Sequence, residues 1–367
     1  MASITNAPAD RLESLDVLRG ATIAGMILVN NPGTWSAVYP PLLHAEWDGW
    51  TYTDTIFPFF LFIAGVAMAF SFAKRRQAGA APGALSRHLA VRAAAIVGLG
   101  LALGLASFFA FHKEHVRFPG VLQRIGVCVL VAGALLLFGG ARAVAAAAIV
   151  LLLGYWALLG AGPFDPQGNL AARIDHAVFG AHTWKPGWDP EGLLSTLPAI
   201  ATTLLGVLAG EHLRAGPPAG RIRGLFAAGA LATAAGVAWG RILPVNKSLW
   251  TSSYALLMSG LACVSLAACV WIVDVRGWKR WAAPLVWLGR NAIAAFTLST
   301  LGAIALIAVK VAGPEGKPRS LWTSIYRTVF DRFADPRLGS LLFALAYLAV
   351  WLAVFGILHR RRIFIRL

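Results

Sequence analysis

Ten long apolar stretches constrain this chain more than anything else in it. They fall near 15–31, 54–73, 89–111, 120–138, 143–160, 193–210, 222–240, 250–273, 284–309 and 339–358. The hydrocarbon core of a bilayer is about 30 Å thick and takes roughly 20 apolar residues wound as a helix. Inside it every backbone N–H and C=O must be bonded within the protein, which leaves helices as the form such stretches take. The pattern therefore predicts an all-α polytopic membrane protein, a single bundle of about ten transmembrane helices. Nearly all connectors are short, so residues 1–367 read as one transmembrane domain. The two longest, 161–192 and 310–338, carry Pro, Gly and charges and read as structured caps or surface helices outside the bilayer. The first stretch holds Asp16 and Arg19, ends in Asn30-Asn31-Pro32 and lacks a small-residue cleavage site, so it is expected to stay as helix 1 rather than be removed as a signal.

Charge is scarce and lopsided. Only 13% of residues are charged, about half the roughly 25% of a soluble domain, yet 32 Lys and Arg face 16 Asp and Glu, a net +16. This composition excludes a disordered tail and a nucleic-acid-binding module, which needs a polar surface to carry its basic residues. Cys128, Cys263 and Cys269 all lie in apolar runs and imply no disulfide framework. With an even number of helices, seventeen basic residues fall on the side of the termini, among them Arg11, Arg75, Arg92 and Arg366. Twelve fall opposite, and Arg19, Arg124 and Arg290 lie inside helices. The positive-inside rule then predicts cytoplasmic termini in an integral membrane protein.

Four polar interruptions carry the chemistry, because an ionisable side chain in lipid usually faces a bundle interior or a wet cavity. In Ser14-Leu-Asp-Val-Leu-Arg-Gly20, Asp16 and Arg19 share a helical face and can pair; a snorkelling pair at the interface is the plainer alternative. After helix 1 come Asn30 and then His44-Ala-Glu-Trp-Asp-Gly49, with Trp50, Tyr52 and Asp54 beyond. Glu46 or Asp48 can hold one ring nitrogen of His44 and leave the other as a proton acceptor, as a general base requires; an aromatic-belt loop anchored by Trp47, Trp50 and Tyr52 is the other reading. Gln123 and Arg124 lie a turn inside helix 4, where an arginine wants a phosphate, a carboxylate or a structural pair with Asp54 or Asp16. Asn246, Lys247, Ser248, Thr251 and Ser252 open helix 8, as caps or as ligand contacts. No phosphate-loop, nucleophile-elbow or HExxH motif is present, and no metal is expected.

Taken together these segments resemble the heparan-α-glucosaminide N-acetyltransferase family of transmembrane acyltransferases. The matching residues are 14–20, Val29-Asn30, His44–Gly49, Asp54, Phe57-Pro-Phe-Phe60, Gly120–Arg124, Asp189-Pro-Glu-Gly192, Val245–Trp250, and Gly289 with Asn291. They span nearly the whole chain in order. The resemblance, which extends to bacterial relatives of that family, implies an acetyl-CoA-dependent amino-sugar N-acetyltransferase of a bacterial inner membrane, with His44 and Asn30 as catalytic residues. Arg19, Gln123, Arg124, Asn246, Lys247 and Asn291 then become candidates for coenzyme binding, and Glu46, Trp47, Asp48 and Asp54 for binding or orienting substrate. Two departures stand out: the chain is expected to be without the extra helix and large luminal domain of the lysosomal enzyme, and Arg290 stands where an uncharged residue is expected. The acceptor expected is therefore glucosamine or a small glucosaminide on the outer side. Expected partners are that amino sugar, the lipid bilayer and, by analogy, a second copy in a homodimer, but no nucleic acid. A secondary transporter of amino sugars or their oligosaccharides is the competing function, since buried Asp, Arg and Asn suit it equally.

Overall fold

The stretches expected at 120–138 and 143–160 belong to one helix, α4 (Val121–Leu159), which folds back on itself at Gly140. Gly140 takes φ 68°, a left-handed value that glycine adopts at no steric cost. The reversal is visible in what the two halves touch. The Arg124 guanidinium lies 5.2 Å from the Trp250 ring, while the Tyr155 hydroxyl donates to the carbonyl of neighbouring Leu249 at 2.5 Å. An unbroken helix would set Arg124 and Tyr155 about 46 Å apart.

The computed structural model describes residues 12–160, 162–166, 168–185, 187–215, 218–313 and 317–365. Asp10, Arg11 and Arg366, assigned by sequence to the side of the termini, lie outside them. The other helices are α1 (Glu13–Asn30), α2 (Tyr52–Gln77), α3 (Pro82–Phe111), α5 (Leu170–Phe179), α6 (Thr196–Arg214), α7 (Pro218–Trp239), α8 (Ser252–Cys269), α9 (Ala283–Arg290), α10 (Ala292–Ala308), α11 (Leu321–Ile325) and α12 (Pro336–Arg360). A short hairpin pairs β1 (Lys310–Ala312) with β2 (Pro318–Ser320), Val311 opposite Arg319.

The chain is an all-helical integral membrane protein, but the expected count of ten is not reached. Among the described residues seven helices are long and apolar enough to cross a bilayer, and eight if the bent pair α9–α10 forms one span. Two expected stretches share α4, and α1 carries Glu13, Asp16 and Arg19 within eighteen residues. The stretch expected at 284–309 is broken at Asn291, where α9 and α10 meet at 75°. The exterior is apolar: Phe109, Phe138 and Leu231 are 68%, 74% and 71% exposed, as suits side chains that face lipid.

Lipid tails are as apolar as leucine, so helices in a bilayer are held together by close packing of small residues. The α2–α6 seam shows this. A Cβ added at Gly65 would meet the Thr203 carbonyl oxygen at 2.1 Å, and one added at Gly206 would meet that of Phe62 at 2.1 Å. Gly206 and Gly210 form a small-xxx-small pair, and Gly210 packs on Val66 and Ala69. The α1–α9 contact is as close, since a Cβ at Gly20 would lie 1.8 Å from the Leu285 oxygen and one at Gly289 1.9 Å from that of Asp16. Gly206→Ala is expected to cost about 1–3 kcal/mol, the usual range for overpacking. Gly154→Ala, with nothing within 4 Å of the added carbon, should be neutral; thermal unfolding of the two variants in detergent makes the comparison.

Candidate active site

Asp54 is the third residue of α2 and only 1% exposed. Its carboxylate closes a capping box with Thr51, with Oδ2 accepting from the Thr51 N–H at 3.0 Å. The same oxygen takes the Ala45 N–H at 3.0 Å, which folds the preceding loop back over the helix start. Oδ1 lies 2.6 Å from Nδ1 of His44. An ionised carboxylate only accepts, so Nδ1 carries a proton, and in the neutral ring the lone pair is left on Nε2. The partner of His44 is thus Asp54 rather than the expected Glu46 or Asp48. Its place in the helix cap brings it within reach, while Glu46 is exposed and Asp48 is engaged elsewhere.

Asp48 accepts from Nδ2 of Asn246 at 3.2 Å, and the Gly49 N–H donates to the Val245 carbonyl at 2.7 Å. Gly49 takes φ 96°, a value that favours glycine. Asn246 is wholly buried and also accepts from the Leu249 N–H at 2.8 Å. Together these bonds latch the loop before α2 to the loop before α8 and set Lys247 in place. Trp47 anchors the same loop from the other side, its indole N–H donating to the Phe164 carbonyl at 2.8 Å.

His44, Asn30 and Lys247 line one end of a cavity of about 580 Å3, joined there by Glu191. The cavity then runs past Ile23, Met26, Phe57, Ile63, Ile125 and Phe296. Its far end is cationic, lined by Arg19, Arg75, His88, Arg92 and Arg290. Arg19 donates to Asp16 at 3.1 Å, Arg290 stands 3.6 Å from the same carboxylate, and Arg75 lies 3.1 Å from the His88 ring. The volume is that of a site for a small organic ligand.

Of the residues singled out by sequence, the structure brings Arg19, Asn30, His44 and Lys247 onto this one cavity, with Asp54 directly behind His44. Gln123, Arg124, Asn246 and Asn291 do not line it. Gln123 donates to the Phe118 carbonyl at 3.1 Å. Arg124 donates to the Gly192 carbonyl and to the Ser195 hydroxyl, its guanidinium lying against Trp250 and Phe57. Asn291 bonds the backbone of residues 363–365. Residues not singled out as ligands are Arg75, His88, Arg92 and Arg290. The spacing of four that sets His88, Arg92 and Ile96 on one helical face was visible, but nothing in it says what that face meets.

The Asp-Pro-Glu-Gly loop closes the His44 end. Arg117 forks onto Asp189 at 2.7 and 2.5 Å and also pairs with Glu191. Burial works against ionisation of Glu191, but Lys247, Arg117 and Arg124 outweigh it and hold the carboxyl below its ordinary range. Beneath the loop Asp175 accepts from the Leu193 N–H at 2.8 Å with one oxygen, while the other is buried without a partner. Burial pushes its carboxyl up to about 6. A raised carboxyl favours the folded state while protonated, so its contribution is full below pH 3.8, the ordinary value, and is lost as the pH rises through about 6. The apparent Tm of Asp175→Asn relative to the unaltered chain should therefore climb between pH 4 and pH 7; a pH-independent difference would contradict it.

The sequence profile described as heparan-alpha-glucosaminide N-acetyltransferase, catalytic, matches residues 11–223, a span that holds His44, Asp54, Arg75, Arg92 and Glu191. The chain is 28% identical over 351 residues to heparan-alpha-glucosaminide N-acetyltransferase of Homo sapiens, covering 77% of this chain and 52% of that protein. It is 26% identical over 353 residues to the protein of that name in Mus musculus, covering 78% and 52%. The chain thus spans about half the length of the curated relatives it matches. On the profile match, which takes in more than half of its residues, the chain belongs to the heparan-alpha-glucosaminide N-acetyltransferase catalytic family.

Proposed function

We propose that this chain is a transmembrane N-acetyltransferase. It moves the acetyl group of cytoplasmic acetyl-CoA to the amine of glucosamine or a small glucosaminide on the opposite side, with His44 as general base. One observation carries the reading: a single cavity joins a four-arginine end to a histidine held by a buried carboxylate. The donor fits that shape. Its phosphates call for guanidinium groups, which fork onto phosphate oxygens, and Arg19, Arg75, Arg92 and Arg290 provide them. Its slender arm suits the wall of α2, where Phe60, Ala64, Ala67 and Ser71 line the way to Arg75.

The chemistry at the other end is acyl transfer. The amine nitrogen forms a bond to the thioester carbonyl carbon, and the amine proton passes to Nε2 of His44. The carbon–sulfur bond breaks to release the coenzyme as its thiolate, which is protonated in turn to the thiol as His44 gives up the proton. Asp54 stabilises the imidazolium so formed and fixes the ring's tautomer. The Asn30 amide is the donor for the developing oxyanion. Lys247 and Glu191 flank the space left for the sugar.

Acetylation of glucosamine by the purified chain tests the reading. His44→Ala should lower kcat by roughly 10^2–10^4, the usual worth of a positioned base, and Asp54→Asn should lower it too; full activity in His44→Ala overturns the mechanism. Arg92→Ala should raise KM for acetyl-CoA about tenfold, the loss of one charge-assisted contact, and leave KM for the sugar unchanged. Counter-flow of amino sugar in proteoliposomes without acetyl-CoA would favour a transporter instead.

A further inference from the structure

Asn291 stands at the 75° break between α9 and α10, its side chain wholly buried. Both ends of its amide go to a segment more than seventy residues away. Oδ1 accepts from the Ile365 N–H at 2.8 Å, and Nδ2 donates to the Ile363 carbonyl at 3.4 Å. The two bonds grip the backbone on either side of Phe364. The Phe364 ring in turn lies 5.7 Å from the Arg290 guanidinium and 5.8 Å from the ring of His359. Ile365 then lines the cavity at its cationic end, beside Gly289 and Arg290.

We infer that Asn291 is a positioning residue for the coenzyme. It holds Ile363–Ile365 as one wall of the cationic entrance and sets the affinity for the coenzyme without touching it. This rests on reading the cavity as the coenzyme site. The physical reason lies in the chain's own geometry. A three-residue segment without regular structure has few bonds of its own, so a buried amide that takes one N–H and serves one carbonyl fixes its place. Arg290, next in sequence to Asn291, faces the space that wall encloses and has the Phe364 ring behind it. Loss of the amide frees the wall and the backing of Arg290 together.

Coenzyme A binding to the purified full chain, measured by calorimetry, tests this alongside a chain ended at Arg362. Asn291→Ala should raise Kd about tenfold, and Asn291→Asp, which keeps the acceptor for the Ile365 N–H, about threefold. The shortened chain should match Asn291→Ala. Joining the two changes should add nothing, since residues acting through one contact are not additive. At saturating acetyl-CoA kcat should stay unchanged in all of them. A shortened chain that binds as tightly as the full one overturns the inference, and if Asn291→Ala is also weak the amide meets the coenzyme itself. Should Asn291→Ala not fold, the shortened chain decides alone. Failure of the unaltered chain to bind coenzyme A defeats the underlying reading of the cavity, and is seen separately from either result.

Discussion

One carboxylate does three tasks at the start of α2. Asp54 caps the helix through Thr51, draws the preceding loop over it through Ala45, and holds His44 by Nδ1. A helix N-terminus carries unsatisfied N–H groups and the positive end of the macrodipole, so an anion is at home there. Folding thus places the charge, and the charge then places the histidine. Removing it would loosen the helix start, the loop and the ring together, which is why the other parts of the site depend on it.

The rest of the cavity is built by an economy of small residues. Glycines at 20, 65, 206 and 289 bring helix backbones into contact, so main-chain packing sets how closely the helices that carry the lining side chains stand. The space between them is apolar along most of its length, with its charged groups gathered towards the two ends. Ion pairs towards one end (Arg117 with Asp189 and Glu191) and towards the other (Asp16 with Arg19 and Arg290) add directional bonds to that packing.

Much of this was legible in the residues. Long apolar runs declare a membrane bundle, and His44, Asn30, Lys247 and Arg19 stand out because a bilayer makes polar groups costly. What stayed hidden has physical reasons. Asp54 is placed by the capping box it forms with Thr51, and its hold on His44 needs the preceding loop to fold back over the helix start. Arg124, Gln123, Asn246 and Asn291 are polar groups in apolar surroundings whose partners belong to the protein itself. These are the Phe118 carbonyl for Gln123, Asp48 and the Leu249 N–H for Asn246, and residues 363–365 for Asn291. Arg124 has Gly192 and Ser195, while its Nε and Nη1 stay buried without a hydrogen bond among the described residues. Gly140 looked like a loop between two helices, yet it turns a chain that never leaves helical winding for more than a residue. Arg75 and Arg92 read as members of a positive loop, because charge counting sees a side of the membrane and not a helical face.

Arg75 and Arg76 are consecutive, yet they serve different faces of α2. Arg75 reaches the cavity, while Arg76 donates at 3.2 Å to the Leu137 carbonyl near the α4 turn. Each residue of a helix is turned about 100° from the last. A single inserted or deleted residue between His44's anchor at Asp54 and Arg75 would therefore swing the arginine out of the cavity and its neighbour towards it. The distance along α2 from the carboxylate to the arginine is thus counted in whole residues. This part of the chain should accept changes of side chain far more readily than changes of length.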